Sequence, residues 1–367
     1  MLAFMASHGR QEKFVVMLSS GQRPRYRDDI IRVMALPTGG RTQFRYRKQH
    51  VPDDLFRELS NNGLRESEAL VAYLDTSNKD RAPEIVPCRF CRIVDSEGEG
   101  EFVVIRFEVG DFAMVDKDAN VQSAVTEALL NGASLPKWED GKLGGHFLVA
   151  LKNRPDGCRS DQDRRAWQAV VGILGGRADF RDCPFFYNLR SVVAEDAKTP
   201  VPFCEDKYAL EPDKIYRADV VHYAPPTVAG QQGGPWGQLK VSAQGNGVQS
   251  LTTQPLAIDS PYDIKRVYFR TTGEARKQYA LLSFGRRLTQ SCPGQETEHH
   301  DFELVLEVAG AWRRQTLVGV LIAAFLAAPR WVDMLRAEAW DWSSAAVALF
   351  TALVTAGLVV FGLRKVP

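Results

Sequence analysis

Two apolar stretches near the C-terminal end of the chain constrain its structure more than any other sequence feature. Gln315–Ala328 and Ser343–Leu363 each lack Asp, Glu, Lys and Arg, and a short polar connector joins them. As a helix rising about 1.5 Å per residue, the second stretch is roughly 31 Å long, which matches the hydrocarbon core of a bilayer. The first stretch reaches across if its helix begins near Ala309. The pattern predicts a two-helix transmembrane hairpin over 309–367, with spans Thr316–Ala328 and Ser343–Leu363.

The residues around these stretches favour a membrane location and set an orientation. The amphipathic indole ring prefers the membrane–water interface, and tryptophans stand at the ends of the stretches: Trp312, Trp331, Trp340 and Trp342. More Lys and Arg residues flank the hairpin than lie in its connector, and basic flanks remain cytoplasmic. The N-terminal segment lacks the apolar stretch of a signal peptide. We expect two spans in a bacterial inner membrane, with both termini and the soluble region cytoplasmic. The alternative is a buried helical pair in a globular domain.

The rest of the chain has the composition of a soluble protein. Its net charge of +1 excludes binding to nucleic acid or membrane by bulk electrostatics, so such binding requires a local patch. Six scattered cysteines fit a reducing compartment better than a disulfide framework. We predict a mainly β fold with some α structure. It comprises a β-rich domain over 1–118, a mixed α/β region over 119–204, a β-sandwich-like domain over 205–308 and the transmembrane hairpin over 309–367.

Turn residues and apolar periodicity locate the main elements. The Pro37–Gly40 turn predicts a β-hairpin between Ile30–Leu36 and Arg41–Gln49, within a small curved sheet or partly open barrel. Helical spacing and charge predict three helices: Pro52–Leu59, Val121–Leu130 and Asp163–Leu174. Short strands between Gly- and Pro-rich loops in the third region are typical of a β-sandwich.

A cluster of arginines in the predicted hairpin is the strongest functional signal of the soluble region. Strand alternation places Arg41, Arg45 and Arg47 on one face, and Phe44 and Tyr46 on the other. Guanidinium groups form bidentate hydrogen bonds to phosphate, so this face suits a nucleotide, a nucleic-acid backbone, a lipid headgroup or an acidic partner. The predicted ligand-binding residues are Arg32, Arg41, Arg45 and Arg47. The alternative is a solvated face that keeps an edge strand from aggregating.

The other chemistry-bearing motifs lack the partners that a site needs. Cys88 and Cys91 have C-x-x-C spacing, but no second pair of ligands completes a zinc site. His299, His300 and Asp301 are adjacent, and neighbouring side chains diverge on a strand. The sequence contains no G-x-S-x-G, H-E-x-x-H or P-loop motif. We therefore predict no catalytic residue, no metal and no cofactor.

The layout of a cytosolic β-rich region followed by two spans, Thr316–Leu363, resembles the two-transmembrane effectors of bacterial anti-phage defence systems. The resemblance covers only the hairpin and its placement. It implies a soluble domain that recognises a signal such as a cyclic nucleotide or a partner protein. It also implies spans that cluster and damage the inner membrane.

The sequence thus predicts a signal-gated membrane effector that forms a homo-oligomer through small residues in its spans. A phosphate-bearing ligand, either a nucleotide or a nucleic acid, or a partner protein would engage Arg41, Arg45 and Arg47. Two alternatives stay open at this point. One is a passive membrane-tethered adaptor that recruits a cytosolic partner protein, and the other is a membrane-bound enzyme of unrecognised fold.

Overall fold

Three β-sheets make up most of the structure. The computed structural model describes residues 13–310, except 21–22, 78–82, 116–119, 132–145, 163, 182, 184, 226–235, 274–275 and 290–295. Over these residues the chain is mostly β, and it forms one seven-stranded, one six-stranded and one four-stranded sheet. The first sheet curls into a barrel, and the other two form a sandwich.

The barrel is built from seven strands. They are β1 (Phe14–Ser20), β2 (Arg41–Arg47), β3 (Glu68–Asp75), β4 (Glu84–Glu99), β5 (Phe102–Val115), β6 (His146–Leu151) and β7 (Cys158–Asp161). Their order is β2-β5-β4-β3-β1-β6, with β7 beside the end of β5. Strands β1 and β3 are parallel, whereas β6 runs antiparallel to β1. The two outermost strands approach each other, since the rings of Phe44 and His146 lie 4.8 Å apart. The barrel is therefore partly open, with a seam between β2 and β6.

Four α-helices accompany the strands in the described part of the chain. They are α1 (Pro24–Ala35), α2 (Asp53–Ser60), α3 (Val121–Asn131) and α4 (Arg164–Gly175). Helices α1, α2 and α4 contribute to one large core that includes the inner face of the barrel and extends into the sandwich. Helix α3 instead packs on β6 and β4, and its Val121 and Val125 belong to a second cluster that includes Val16 and Leu18 of β1. The inner core thus joins the barrel to the sandwich.

The sandwich holds the remaining strands. They are β8 (Phe186–Ala194), β9 (Phe203–Cys204), β10 (Lys207–Leu210), β11 (Ile215–Tyr223), β12 (Gly237–Gly245), β13 (Val248–Ser250), β14 (Leu256–Ile258), β15 (Tyr262–Thr271), β16 (Gln278–Thr289) and β17 (Glu296–Val308). One sheet has the order β14-β12-β16-β17-β10-β9, and the other has the order β13-β15-β11-β8. Tyr187 of β8 stacks on Phe284 and Phe302 of the facing sheet, each at 6.2 Å.

The fold class expected from the sequence is wrong in its last element. The chain is mostly β, and no helix among the described residues is long and apolar enough to cross a membrane. Helices α1 and α4 have 12 residues each, which gives about 18 Å against a hydrocarbon core of about 30 Å. The transmembrane hairpin is therefore not supported. Its spans, Thr316–Ala328 and Ser343–Leu363, lie outside the described residues.

The middle of the chain divides between the two parts of the fold. Strands β6 and β7 belong to the barrel sheet, whereas β8 belongs to the sandwich. The region over 119–204 therefore contributes to both. The helices expected at Pro52–Leu59, Val121–Leu130 and Asp163–Leu174 are present as α2, α3 and α4.

The expected strand Ile30–Leu36 is instead the second half of α1. Pro24 stands in the first turn, where its missing N–H removes no helical hydrogen bond. The apolar residues from Ile30 to Met34 bury one helical face. The turn after the helix leads into β2, which pairs with β5. A turn composition alone does not distinguish these two arrangements, because Pro and Gly end helices as readily as they connect strands.

Arg89 of β4 caps the C-terminal end of α1 although it is far away in the sequence. Its side chain is fully buried. Nη1 donates to the carbonyl oxygens of Val33 and Leu36 at 2.7 and 2.6 Å, and Nε donates to the carbonyl of Gly110 at 2.7 Å. Burial lowers the pKa of Arg89 to about 10, so the guanidinium is still charged at neutral pH. A cation at this end also complements the negative end of the helix dipole.

Two further side chains complete this cap from other elements. Trp167 Nε1 of α4 donates to the carbonyl of Met34 at 3.2 Å. Asn188 Nδ2 of β8 lies 3.0 Å from the carbonyl oxygens of both Met34 and Leu36. The last carbonyls of a helix have no partner within the helix, and burial makes such a partner necessary. The cap therefore ties α1 to the barrel, to α4 and to the sandwich at once.

We expect Arg89→Met to lower the free energy of unfolding by about 3 kcal/mol or more, because it leaves several buried carbonyls without donors. Arg92→Met on the same strand is the matched control. Arg92 is half-exposed and pairs with Glu66 and Glu108, so its loss should cost less than about 1 kcal/mol. Urea denaturation measures both values. Similar losses for the two variants would contradict the capping role.

The buried imidazole of His222 should make stability depend on pH. Its Nε2 lies 2.9 Å from the carbonyl of Ser260, and burial lowers its pKa. Below about pH 6.5 the unfolded state then binds more protons than the folded state, so stability falls as the solution is acidified. We expect His222→Gln to reduce the loss of stability between about pH 7 and about pH 5. The exposed His300→Gln variant should retain the full loss, as followed by denaturation at each pH.

Candidate ligand-binding cleft

A cleft of about 260 Å³ lies where the barrel, α4 and the sandwich meet. The barrel contributes the Pro37–Thr38 turn and Phe112, α4 contributes Trp167, and β8 contributes Asn188–Ser191. The wall is completed by Gln162, Pro200, Val201, Phe203, Tyr208 and Val221. Ligand sites favour such junctions, where apolar and aromatic walls surround a few polar groups.

Arg190 is the charged side chain among the described residues that line this cleft. It stands at a β-bulge on the edge strand β8. Ser191 pairs with Asp219 and Leu189 pairs with Val220, so the ladder passes over Arg190. A bulge redirects the side chain of the extra residue and is common beside functional sites. The irregularity thus supplies the cleft with a cation.

Arg190 forms no ion pair or hydrogen bond with any residue that the structure describes. The carboxylate opposite the bulge, that of Asp219, is bound by Arg217 at 2.9 Å. Arg190 is also exposed, so it is free to receive an anion. A guanidinium group fits the planar geometry of a carboxylate or the oxygen atoms of a phosphate.

Aromatic residues form one side of the cleft, and no second charged side chain occurs among the described residues that line it. Tyr208 is buried, and this burial raises the pKa of its hydroxyl well above the ordinary value, so the side chain stays neutral. Phe203 packs edge-on against Tyr208, with ring centroids 4.7 Å apart. Trp167 is held by its hydrogen bond to Met34. These aromatic walls are therefore fixed before any ligand arrives.

The arginines expected to bind a ligand lie elsewhere, on the outer face of the barrel. Arg41, Arg45 and Arg47 are exposed on β2, while Phe44 and Tyr46 are buried. Carboxylates lie close to two of the arginines, since Arg41 is 3.5 Å from Glu108 and Arg45 is 3.7 Å from Glu99.

Arg45 and Arg47 also lie over the ring of Phe102, at 3.8 and 5.8 Å. Neighbouring strands thus place carboxylates and an aromatic ring beside this row of arginines. Their binding of a phosphate-bearing ligand stays a prediction from the sequence.

Arg32 is separated from these three arginines and belongs to a buried network between α1 and the sandwich. Its Nε donates to the carbonyl of Asp301 at 2.8 Å, and its Nη1 donates to Asp29 at 3.2 Å. The Asp301 carboxylate accepts two hydrogen bonds of 2.8 Å from Arg286 and one of 2.7 Å from Tyr187. Arg32 therefore has a structural role in this network.

Burial and neighbouring groups shift the pKa values in this network. Burial by itself would lower the pKa of Arg286, but its interactions with Asp301, Cys183 and Tyr187 together outweigh burial, and the pKa is raised. Arg286 also reaches Asp28 of α1 at 3.4 Å. Burial and the same Asp301 carboxylate raise the pKa of Tyr187. The network joins α1 to β16 and β17 through these contacts.

The remaining motifs lie apart from this cleft. Cys88 and Cys91 are both buried in the inner core, because a bulge in β4 brings positions three apart to the same face. Burial raises the pKa of both thiols to about 12, so neither is a reactive thiolate. His299 and His300 diverge from Asp301, and no group of three potential metal ligands occurs in the described part of the chain.

Sequence patterns did not single out Arg190. The signal that identifies it is weak: two successive non-apolar residues, Arg190 and Ser191, interrupt an otherwise buried strand. Such an interruption is compatible with a bulge, but it does not show that the arginine lacks a partner. Only the packing of the barrel on the sandwich reveals that.

Comparison with known proteins assigns no family to this chain. No family model matches it, and no curated protein matches its sequence. The function therefore has to follow from the geometry and charge of the site.

We expect Arg286→Met to lower the free energy of unfolding by about 3–5 kcal/mol, because it leaves the buried Asp301 carboxylate without its cation. Arg45→Met removes an exposed ion pair and is the control, with an expected loss below about 1 kcal/mol. Chemical denaturation of both variants measures the difference. If Arg286→Met were as stable as Arg45→Met, the network would not bridge α1 and the sandwich as described.

Proposed function

We propose that the described part of this protein is a sensor for a small anionic molecule, which binds in the cleft and fixes the barrel against the sandwich. The observation that carries this proposal is the unpaired cation of Arg190 at a junction built from both parts. Several arginines elsewhere on the surface are neutralised by carboxylates, such as Arg41 by Glu108 and Arg217 by Asp219. A cation left without a partner in an aromatic cleft favours an external anion.

The walls of the cleft are also the groups that hold α1. Asn188 and Trp167 line the cleft and donate to the terminal carbonyls of α1. Thr38 lines it as well and lies 3.3 Å from Arg89 Nη2. A ligand that restrains these side chains must restrain the end of the helix. A ligand in the cleft thereby restricts the motion of α1, the helix that joins the barrel to the sandwich.

Helix α1 carries this effect away from the cleft. Its other contacts with the sandwich are those of Asp28 with Arg286 and of Arg32 with the carbonyl of Asp301. One helix is therefore held near its end by the cleft residues and along its length by the buried charged network. A ligand can shift a conformational equilibrium only if it binds one state more tightly than the other. Here it would bind more tightly to the state in which the barrel is docked on the sandwich.

The proposal concerns recognition of a signal, which is one half of the function expected from the sequence. Signal-gated membrane disruption, location in an inner membrane, homo-oligomer formation and the alternative of an adaptor stay predictions from the sequence. The residues of the expected spans, 316–363, do not enter the proposal. The described residues supply the recognition site alone.

We expect at least one compound in a library of small phosphates and carboxylates to raise the melting temperature of the protein. Arg190→Ala should then weaken its binding about tenfold or more, because a hydrogen bond to a charged group contributes about 1.5–3 kcal/mol. Arg270→Ala is the matched control, since Arg270 is an exposed arginine outside the cleft. Calorimetric titration of the three proteins measures the affinities.

Hydrogen exchange provides the second readout of this experiment. Amides near the C-terminal end of α1 should exchange more slowly in the complex, whereas those of the distant helix α3 should not change. Equal affinity of the Arg190→Ala and original proteins for every compound that binds would refute the proposed site. Binding without any change in α1 would refute the transmission.

A further inference from the structure

We infer that the ligand of the cleft is a single planar ring system that carries one oxyanion group, either a phosphate or a carboxylate. This inference rests on the proposed function and specifies the chemical class of the ligand. It follows from the size of the cleft, from its charge and from the nature of its walls.

The size of the cleft limits the ligand to one ring system. Ligand pockets usually enclose about 300–1,000 Å³, and the volume here is about 260 Å³. A compact ring with one substituent group fills such a space. A dinucleotide or an oligonucleotide strand would leave most of its atoms outside, so the cleft would not recognise it as a whole.

The charge of the cleft matches one anionic group. Arg190 is the only Lys, Arg, His, Asp or Glu among the described lining residues, and Tyr208 is neutral. A second phosphate in the cleft would have no cation beside it, and an unpaired charge is costly to remove from water. A polyphosphate is therefore disfavoured. The hydroxyl of the neighbouring Ser191 instead donates to Asp219 at 3.5 Å, so Arg190 alone is assigned to the oxyanion.

One wall of the cleft is apolar and suits one face of a flat ring, whereas polar residues such as Thr38, Gln162 and Asn188 line much of the rest. Phe112, Phe203 and Val201 line the cleft together with two prolines, Pro37 and Pro200. Apolar walls gain from burial of a ring and offer few partners for several hydroxyl groups. Gln162 and Thr38 add polar groups that hydrogen-bond substituents on the ring.

The wall formed by the segment after β8 is already in position. Pro200 forms a bridge with Val193, and the amide of Val201 donates to the carbonyl of Val192 at 2.7 Å. Phe203 is oriented by its contact with Tyr208 and by the turn at Gly39, where the backbone has a φ of 88°. A preformed wall spares the ligand the cost of ordering it. Shape should therefore contribute to recognition together with charge.

Four probes test the class of ligand by calorimetric titration of the full chain at millimolar concentration. Phenyl phosphate and benzoate each combine a ring with one oxyanion. Benzyl alcohol has the ring without the charge, and inorganic phosphate has the charge without the ring. We expect one or both of the first two to bind at least tenfold more tightly than each of the last two. Tighter binding of phenyl phosphate than of benzoate would indicate that the oxyanion is a phosphate, and the reverse order would indicate a carboxylate.

Substitutions in the cleft test where the oxyanion and the ring of the ligand bind. Arg190→Ala should weaken phenyl phosphate or benzoate at least tenfold, and Arg190→Lys should weaken them less, because it keeps the charge without the planar fork. Val201→Trp should abolish binding by filling the space of the ring. If Val201→Trp fails to fold, Pro200→Trp, at an exposed position, serves the same purpose.

The outcomes separate this inference from the proposed function. Adenosine triphosphate is titrated as a further, polyanionic probe. Its tighter binding than the single-oxyanion probes, or equal binding of benzyl alcohol, would overturn the assigned class. The sensor proposal would survive that result if Arg190→Ala or Val201→Trp still weakened the compound that binds. If neither variant changed the affinity of any bound compound, the cleft would not be the recognition site and both proposals would fail.

Discussion

The carbonyl groups at the C-terminal end of α1 are the point on which the whole structure depends. The last carbonyls of a helix have no partner within it, and these are buried between the barrel and the sandwich. Arg89, Trp167 and Asn188 supply the missing donors from a barrel strand, from α4 and from a sandwich strand. An unpaired buried carbonyl costs about 1–3 kcal/mol. If the barrel and the sandwich separated, carbonyl groups or side-chain donors in each part would therefore become exposed or lose their hydrogen-bond partners.

A second polar connection makes the junction specific. The charged network of Arg286, Asp301 and Asp28 joins the same helix to the sandwich at a different place. Hydrophobic burial is not directional, whereas hydrogen bonds and ion pairs allow only one register between packed elements. The two polar connections together hold α1 in one orientation. The cleft between barrel and sandwich keeps its shape for the same reason.

The distribution of arginines distinguishes the cleft from the rest of the surface. On the barrel exterior, Arg106 lies between Asp95 and Glu97, and Arg92 lies between Glu66 and Glu108. These alternating charges stabilise strand pairing weakly and favour solubility. Arg190 differs, because a bulge places it where the described residues offer no carboxylate.

Local patterns in the sequence were enough to determine α2, α3 and α4, the inward positions of Phe44 and Tyr46 and the presence of short strands after residue 205, because periodicity and turn residues act over a few positions. Tertiary structure alone decided that Ile30–Ala35 is helical, since the cap of α1 includes Asn188, which lies 154 residues beyond Met34. It also decided which arginines are neutralised, since the partner of Arg41 lies 67 residues away. The cleft likewise depends on the packing of two parts of the chain. Long-range contacts of this kind leave no periodic trace in the sequence.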